Sequence, residues 1–200
     1  MKAPAHEVRI IGGAWKRSKL PVADRPGLRP TPDRVRETLF NWLGQTLAGW
    51  RCLDAFAGSG ALGFEAASRG ANEVVLLERD GALVTSLAAS KARLQAGTIR
   101  IERADAMAWM ARAPEASFGL VFLDPPFDSG LLEGALAAAS RIVSEGGFVY
   151  AESAAPIVEM PTAIALHPHR SARAGAVHYQ LFRRPLPGFG DSVQPPVGRP

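Results

Sequence analysis

From Trp50 onward, short apolar runs alternate with amphipathic segments of roughly 10 to 16 residues. Each apolar run suits one buried strand, and each amphipathic segment suits one helix. This alternation predicts an α/β fold in which helices cover both faces of a doubly wound parallel sheet. Helices are predicted at residues 61–69, 81–95, 105–111 and 129–143, and the later strands at 148–152, about 162–166 and 176–183.

A glycine-rich turn follows the first of these strands. Gly58, Gly60 and Gly63 satisfy the pattern G-x-G-x-x-G, which on its own suggests a dinucleotide site. Asp54, however, lies at the end of the strand, four residues before the first glycine. A carboxylate there repels a pyrophosphate and suits a cationic group. Gly58 and Gly60 allow close approach of a ligand to the backbone, and we expect Phe56 to line the same pocket.

Two more acidic residues follow the next strands. Glu78 closes the strand after the glycine turn, where it can accept from ribose hydroxyls, and Asp105 follows the strand at 99–103, where it and Ala106 can contact an adenine. Such groups at successive strand ends fit a ligand with a sulfonium, an ammonium, a ribose and an adenine, which is S-adenosylmethionine. The alternatives are a solvated strand end for Glu78 and a helix N-cap for Asp105.

A fourth apolar strand, at 120–123, is followed by Asp124, Pro125, Pro126 and Phe127. The two prolines end the strand and fix the backbone direction. A carboxylate, a carbonyl and an aromatic ring therefore lie together at the carboxyl end of a strand, where open α/β sheets bind ligands. The set suits a flat ring with an amino group, because Asp124 and the Pro125 carbonyl can accept its hydrogens while Phe127 stacks. The alternative is a capped turn with Phe127 in the core.

The order of these motifs resembles the class I methyltransferases that modify exocyclic amines. Two N-terminal segments make the resemblance more specific: R-I-I-G-G-x-W-K-R-x-K-L at 9–20 and L-R-P-T-x-D-R-V-R-E-T-L-F-N-W-L at 28–43. Both closely resemble the bacterial RsmD family, and the likeness extends over residues 8–184. That family methylates N2 of one guanine of 16S rRNA, nucleotide 966 in the usual rRNA numbering.

The resemblance implies a Rossmann-like methyltransferase fold with a seven-stranded, mostly parallel sheet, a last strand inserted antiparallel, and a small N-terminal β-hairpin and helix. It implies S-adenosylmethionine as the cofactor and S-adenosylhomocysteine as its product. It also implies catalytic roles for Asp124, Pro125, Pro126 and Phe127. One departure is visible, because the family's Trp-Arg-Gly-Arg-like stretch is replaced here by Trp-Lys-Arg-Ser at 15–18, which removes the glycine from an expected tight turn.

Excess positive charge is confined to the N-terminal quarter of the chain. The first 50 residues hold nine Lys/Arg and four Asp/Glu, and the remaining 150 hold fourteen and fifteen, which together give the net charge of +4. This distribution suits a polyanionic substrate, although a solvated basic face without a partner is the alternative. The candidates for RNA contact are Arg9, Trp15, Lys16, Arg17, Lys19, Arg29, Arg34 and Arg36.

Arg34 and Arg36 are two residues apart and cannot share one face of the helix predicted at about 32–47. One of them can therefore face RNA while the other is solvated or paired with Asp33 or Glu37. We expect three regions: a basic RNA-binding extension at 1–31 with a hairpin at 8–22, a methyltransferase domain at 32–184, and a disordered tail rich in proline and glycine at 185–200.

The remaining composition argues against several other classes of protein. Cys52 is the only cysteine and cannot form an internal disulfide, and no signal peptide or apolar stretch of about 18 residues is evident. The four histidines show no metal-ligand spacing. We therefore expect a cytoplasmic monomer without a metal or a membrane partner, acting on 16S rRNA within an assembling 30S subunit.

Three other functions remain compatible with parts of the sequence. Methylation of a different amine, such as adenine N6 in DNA or RNA or a protein glutamine, would use the same site residues. A nicotinamide-dependent oxidoreductase would use the glycine turn but leaves residues 124–127 unexplained. A non-catalytic RNA-binding assembly factor would tolerate Asp124→Ala without loss of function.

Overall fold

A seven-stranded sheet forms the body of the computed structural model, which describes residues 6–23, 31–158, 160–161 and 163–186. In chain order the elements are β1 (His6–Arg9), β2 (Lys19–Val22), α1 (Asp33–Trp42), β3 (Arg51–Asp54), α2 (Ala61–Ser68), β4 (Glu73–Glu78), α3 (Gly81–Leu94), β5 (Ile99–Arg103), α4 (Ala106–Arg112), β6 (Phe118–Leu123), α5 (Leu132–Ile142), β7 (Val143–Ser153), β8 (His167–Ala174) and β9 (Val177–Arg183).

The strand order across this sheet is β5-β4-β3-β6-β7-β9-β8. Neighbouring strands from β5 to β7 are parallel, and β9 runs antiparallel to both β7 and β8. After β3 the chain builds outward through β4 and β5, and it then returns to the other side of β3 with β6. Such a change of direction opens a crevice at the carboxyl ends of the strands. The predicted fold class and the antiparallel last strand are therefore confirmed.

Two buried apolar layers, one on each face of the sheet, lie between the sheet and the helices. Alternate strand residues face opposite sides, so that Cys52, Val74, Leu76, Leu120 and Phe122 join one buried cluster and Leu53, Val75, Leu77, Val121 and Leu123 the other. Leu39, Phe64 and Leu87 of α1, α2 and α3 pack on the first layer. Met110 and Leu136 of α4 and α5 pack on the second. The central strands are apolar at consecutive positions because helices cover both faces of the sheet.

Two predicted elements differ from the structure. The first helix ends at Trp42 rather than near residue 47, because Gly44 and Gln45 adopt left-handed φ values of 88° and 68°. The strand predicted at about 162–166 is wrong, since the corresponding strand begins at His167. The apolar alternation there has a different cause: Ile164 and Leu166 fill the second core layer from an irregular segment and are only 8% and 5% exposed.

The basic N-terminal segment forms a β-hairpin that is fastened to the body of the protein. Strands β1 and β2 pair antiparallel, and their connecting loop lies against α2. The backbone N–H groups of Ile11 and Gly12 both donate to the Glu65 carboxylate at 2.8 Å, and that of Ala14 donates to the Ser68 carbonyl at 2.7 Å. A Cβ at Gly13 would lie 1.8 Å from that same carbonyl oxygen, so glycine permits this close approach.

Arg17 occupies the position at which the RsmD pattern has a glycine. Its φ is +73°, so the tight turn is kept although the glycine is absent. A side chain in this left-handed region costs about 1–2 kcal/mol, which the surrounding contacts of the loop must offset.

Within the described residues, no helix combines the length and the apolar character that crossing a bilayer would require. The proposed tail beyond residue 186, as well as Arg29, lies outside the part of the chain that the structure describes.

We expect Gly13→Ala to destabilise the protein by at least about 2 kcal/mol. The new Cβ would clash with the Ser68 backbone and would sit on a residue with φ of +74°. Urea unfolding of the purified variant measures this change in the free energy of unfolding.

Gly97→Ala is the matched control, because a Cβ at that position meets no atom within 4 Å. Its free energy of unfolding should stay within about 0.5 kcal/mol of the wild-type value. Equal losses for the two variants would show that the loop does not depend on its contact with α2.

Candidate active site

Four acidic side chains meet at the carboxyl edge of the sheet. Asp54 ends β3, Glu78 ends β4, Asp124 follows β6 and Glu152 lies next to the last residue of β7. The parallel register fixes this placement, because Asp54 pairs with Phe122 of β6, and Phe122 pairs with residue 150 of β7. Glu152 was not predicted, although an acidic residue at the end of an apolar strand was the signal that identified Asp54 and Glu78.

The glycine turn between β3 and α2 is held by Glu78. One carboxylate oxygen accepts from the backbone N–H of Gly58 at 3.0 Å and the other from that of Asp80 at 2.8 Å. Gly58 and Gly60 have φ values of 51° and 79°, which glycine adopts without strain. Because each carboxylate oxygen has two lone pairs, Glu78 can still accept from ribose hydroxyls. Phe56 is partly buried beside this turn and packs on the second core layer.

Asp54 is a buried carboxyl group, and its side chain accepts from the backbone N–H of Gly63 at 2.9 Å. The third glycine is explained by this contact, since a Cβ at Gly63 would lie 2.1 Å from Leu76 and 3.1 Å from the Asp54 carboxylate. Burial and, to a smaller extent, the negative charges of Glu78 and Glu152 raise the pKa of Asp54 to about 7, although hydrogen bonds from the backbone oppose the increase. A cation beside Asp54 would favour the ionised form.

Asp105 caps the helix that follows β5. Its side chain accepts from the backbone N–H of Ala108 at 2.8 Å, at the N-terminus of α4. Ala106 is buried in the first turn. The N-cap alternative is therefore confirmed for Asp105, while contact of Asp105 and Ala106 with an adenine stays a prediction.

The four residues after β6 differ in their exposure to solvent. Asp124 is partly buried and Pro125 is buried, whereas Pro126 and Phe127 are exposed. Phe127 is 46% exposed, so the alternative that places its ring in the core is wrong. The Pro126 carbonyl accepts from the backbone N–H of Ser129 at 3.0 Å. Within the described residues, no donor bonds to the Pro125 carbonyl, which leaves this oxygen available to a ligand.

A cavity of about 60 Å³ lies beside this motif and is lined by Pro125, Phe127 and Glu152 among others. A larger cavity, of about 360 Å³, lies near the amino ends of β3 and β6, where Trp50 and Phe118 line it. Since that cavity contains none of the acidic strand ends, we place the site at the smaller one.

Glu152 joins β7 to Thr31 of the N-terminal segment. Its side chain is 4% exposed, and its Oε1 accepts from the Thr31 hydroxyl at 2.7 Å and from the Tyr150 hydroxyl at 2.9 Å. Burial raises the pKa of Glu152, and these two hydrogen bonds partly counteract the increase. Tyr150 carried no sequence signal, because its role depends on the tertiary position of Glu152, whereas Thr31 lies within the RsmD-like segment at 28–43.

Asp124 lies next to Glu152 on the adjacent strand. Burial raises the pKa of Asp124 well above its ordinary value, and the charges of Glu152 and Asp54 raise it further. Burial also raises the pKa of Tyr150, with Glu152 as the next cause. Ionised carboxylates at this edge of the sheet are therefore destabilised by burial and by mutual repulsion. A cationic ligand bound there would reduce this destabilisation.

The predicted RNA-contact residues fall into distinct groups. Lys16, Arg17 and Arg34 are exposed, without a side-chain ion pair to any described residue. Two further cations are exposed but paired, Arg9 with Asp33 at 2.8 Å and Lys19 with Glu7 at 2.7 Å.

Two of the predicted contact residues are largely structural. Trp15 is partly buried and packs edge-on against Phe64. The prediction for Arg36 is corrected: its side chain is fully buried and donates to Glu65 at 3.2 Å and to Asp33 at 2.6 Å, so it cannot reach a polyanion outside the protein. Buried charges of this kind are stable only when paired.

Comparisons with known proteins agree with this architecture. A family model described as "Conserved hypothetical protein 95" matches residues 8–183. The chain is 44% identical to ribosomal RNA small subunit methyltransferase D of Escherichia coli (strain K12), over 96% of this chain and 100% of that protein. It is 47% identical to the protein of the same name from Haemophilus influenzae, over 65% of this chain and 69% of that protein.

Solved structures give the same result. A putative methyltransferase yhhF from Escherichia coli superimposes with a TM-score of 0.79 at 42% identity, covering 90% of this chain and 99% of that one. A putative methylase from Haemophilus influenzae gives a TM-score of 0.75 at 33% identity, with the same coverage. A precorrin-6y methyltransferase from Geobacter metallireducens, at 17% identity and a TM-score of 0.65, shares the fold and covers 80% of this chain and 92% of its own.

Asp54 should make the stability of the ligand-free protein depend on pH. Its pKa rises from 3.8 to about 7 on folding, so the folded state holds an extra proton between these values. The stabilising effect is complete below the lower pKa and is lost as the pH rises to the higher one, a change of up to about 4 kcal/mol. Urea unfolding at a series of pH values should show the free energy of unfolding falling less steeply in Asp54→Asn than in the wild type.

Asparagine keeps an oxygen that can accept from Gly63, so the variant removes the titration and preserves the contact. Asp124 and Glu152 shift in the same direction and should leave part of the slope in place. Identical slopes for variant and wild type would contradict the assignment to Asp54.

Proposed function

The chain belongs to the family of ribosomal RNA small subunit methyltransferase D, and on this premise we propose that it transfers a methyl group from S-adenosylmethionine to N2 of one guanine of 16S rRNA. The target in the usual rRNA numbering is nucleotide 966, by the resemblance of the N-terminal segments. The observation that carries the proposal is the motif after β6, where an exposed Phe127 ring lies beside Asp124 and a Pro125 carbonyl that accepts from no described residue.

The residues at the sheet edge fit the proposed cofactor. Gly58 and Gly60 bring the backbone of the turn close to the methionine part, and Asp54 lies where a positive group is favoured. Glu78 can accept from the ribose, and Asp105 and Ala106 can contact the adenine from the start of α4. When bound, S-adenosylmethionine supplies a methyl group activated by attachment to a sulfonium.

Asp124 and Pro125 prepare the nucleophile. The lone pair of an exocyclic amine is delocalised into the ring, which makes guanine N2 a weak nucleophile. Two acceptors outside the ring plane, the Asp124 carboxylate and the Pro125 carbonyl, hold its hydrogens and favour a pyramidal nitrogen. Alignment of this kind supplies several kcal/mol of barrier reduction.

Asp124 also stabilises the positive charge that develops on the nitrogen during transfer. The mechanism does not require Asp124 as a general base, since the product can lose its proton to water. Its raised pKa in the free protein, caused by burial and by Glu152 and Asp54, is reduced by the positive charges that the reaction brings to the site.

Phe127 and the β-hairpin contact the RNA in this proposal. A base taken out of its helix costs a few kcal/mol to unstack, and stacking on an aromatic ring returns about 1–3 kcal/mol. The exposed ring of Phe127 provides such a surface. Lys16 and Arg17 at the hairpin loop, together with Arg34 at the exposed side of α1, can contact phosphates. We propose that the substrate is rRNA in an assembling 30S subunit in the cytoplasm and that the enzyme acts as a monomer.

The direct test is incubation with radiolabelled S-adenosylmethionine and small-subunit RNA or particles from cells that lack this enzyme, followed by nucleoside analysis. We expect N2-methylguanosine at a single position. Asp124→Ala should lower kcat about 100- to 1,000-fold, because an acceptor for the amine and a counter-charge are lost. Calorimetric titration should show that cofactor binding is retained.

Glu115→Ala is the control for removal of an acidic side chain, since Glu115 is exposed and distant from the carboxyl edge of the sheet. It should methylate as the wild type does. Label found only in DNA adenine or in protein would replace guanine by another amine, and unchanged activity of Asp124→Ala would remove the motif from the mechanism.

The hairpin should contribute to RNA affinity through charge. Replacement of Lys16 and Arg17 by glutamine should raise KM for RNA severalfold and leave kcat nearly unchanged. Each lost phosphate contact should reduce the slope of log affinity against log salt by roughly 0.7–0.9. Filter binding at several salt concentrations measures this slope.

A double replacement of Arg170 and Arg173 by glutamine removes the same charge from β8, the edge strand, and serves as the control. The control should leave both KM and the salt slope at their wild-type values. Equal effects of the two double variants would mean that general charge, and not the hairpin, governs binding.

A further inference from the structure

Glu152 is a buried carboxylate with one oxygen engaged and one available. The hydroxyls of Thr31 and Tyr150 both donate to Oε1, at 2.7 and 2.9 Å. No donor among the described residues bonds to Oε2. Among the described residues no buried side-chain oxygen lacks a hydrogen-bond partner, so Oε2 is open to solvent and can accept from a ligand that brings a donor.

The position of Glu152 makes a base the natural source of that donor. Glu152 lines the same cavity as Pro125 and Phe127, and the strand register places it beside Asp124. A ring stacked on Phe127 with its amine held by Asp124 and Pro125 therefore turns the adjacent ring edge toward this cavity. Three acceptors then face one edge of the base: a carboxylate, a carbonyl and the second carboxylate.

The bases differ at the atom next to the methylated amine. In guanine the neighbouring N1 carries a hydrogen and donates, whereas in adenine and 2-aminopurine N1 is an acceptor with a lone pair. A carboxylate facing N1 is therefore satisfied by guanine and repelled by the other two. Buried polar groups discriminate strongly between a ligand that pairs with them and one that does not.

We propose that Glu152 is the residue that selects guanine, by accepting a hydrogen bond from N1–H through Oε2. The inference rests on the proposed methylation of guanine N2 and adds the group that distinguishes this base from others with an equivalent amine. Thr31 and Tyr150 position the carboxylate by holding Oε1. Glu152 takes no part in the transfer of the methyl group.

The test compares two substrates and two enzymes. Small-subunit RNA is prepared with either guanosine or 2-aminopurine ribonucleoside at the target position, because both carry the N2 amine and differ at N1. The wild type should prefer guanosine by at least about 100-fold in kcat/KM. Glu152→Gln places an amide that can donate to N1, so the preference should fall at least about tenfold, mainly through a gain on 2-aminopurine.

Tyr150→Phe is the matched control, since it removes one hydrogen bond to Oε1 while the carboxylate and its hydrogen bond from Thr31 remain. It should keep the preference within about threefold of the wild type, whatever its absolute rate. Equal reduction for both substrates in Glu152→Gln would show that Glu152 only supports the fold and would overturn the inference.

The wild type alone also tests the inference if Glu152→Gln fails to fold. Comparable rates on guanosine and 2-aminopurine would overturn it and leave the proposed function intact. Failure to methylate either RNA would instead reject the proposed function itself.

Discussion

Burial of several carboxylates at one edge of a parallel sheet is the constraint on which the site depends. Parallel strands end at the same edge, so an acidic residue at the end of each apolar run is brought to a common place. Asp54 and Glu152 are buried, Asp124 is partly buried, and all three lie near one another, with burial as the first cause of their raised pKa values. In the free protein, ionisation of these carboxylates is unfavourable, and a positively charged ligand or transition state makes it more favourable.

In the proposed mechanism the cofactor and the base bind at different strands of this edge. The ends of β3 and β4 and the glycine turn hold groups suited to the cofactor, while the ends of β6 and β7 hold groups suited to the base. The boundary between them is the switch point at which the chain changes direction. In the proposed mechanism, substrate selection can therefore vary at β6 and β7 while the cofactor half is kept.

Sequence patterns predicted most of the fold, since long apolar runs and glycine turns depend on local chemistry. They identified Asp54, Glu78 and Asp124 because each follows such a run. They failed where tertiary context decides: Ile164 and Leu166 alternate like a strand but pack from an irregular segment. Arg36 looked like a surface cation, yet burial against Glu65 makes it structural. The hydrogen bond from Thr31 to Glu152 could not be found, because only the folded chain brings these two distant residues together.

The loop of the β-hairpin is already docked onto α2 in the free protein. Glu65 accepts from two backbone N–H groups of the loop and from the buried guanidinium groups of Arg36 and Arg69. The conformational entropy of this loop, which carries Lys16 and Arg17, is therefore lost during folding, before RNA binds. In the proposed function, a pre-organised loop spends little binding energy on ordering itself, so more of its electrostatic attraction to RNA remains for affinity.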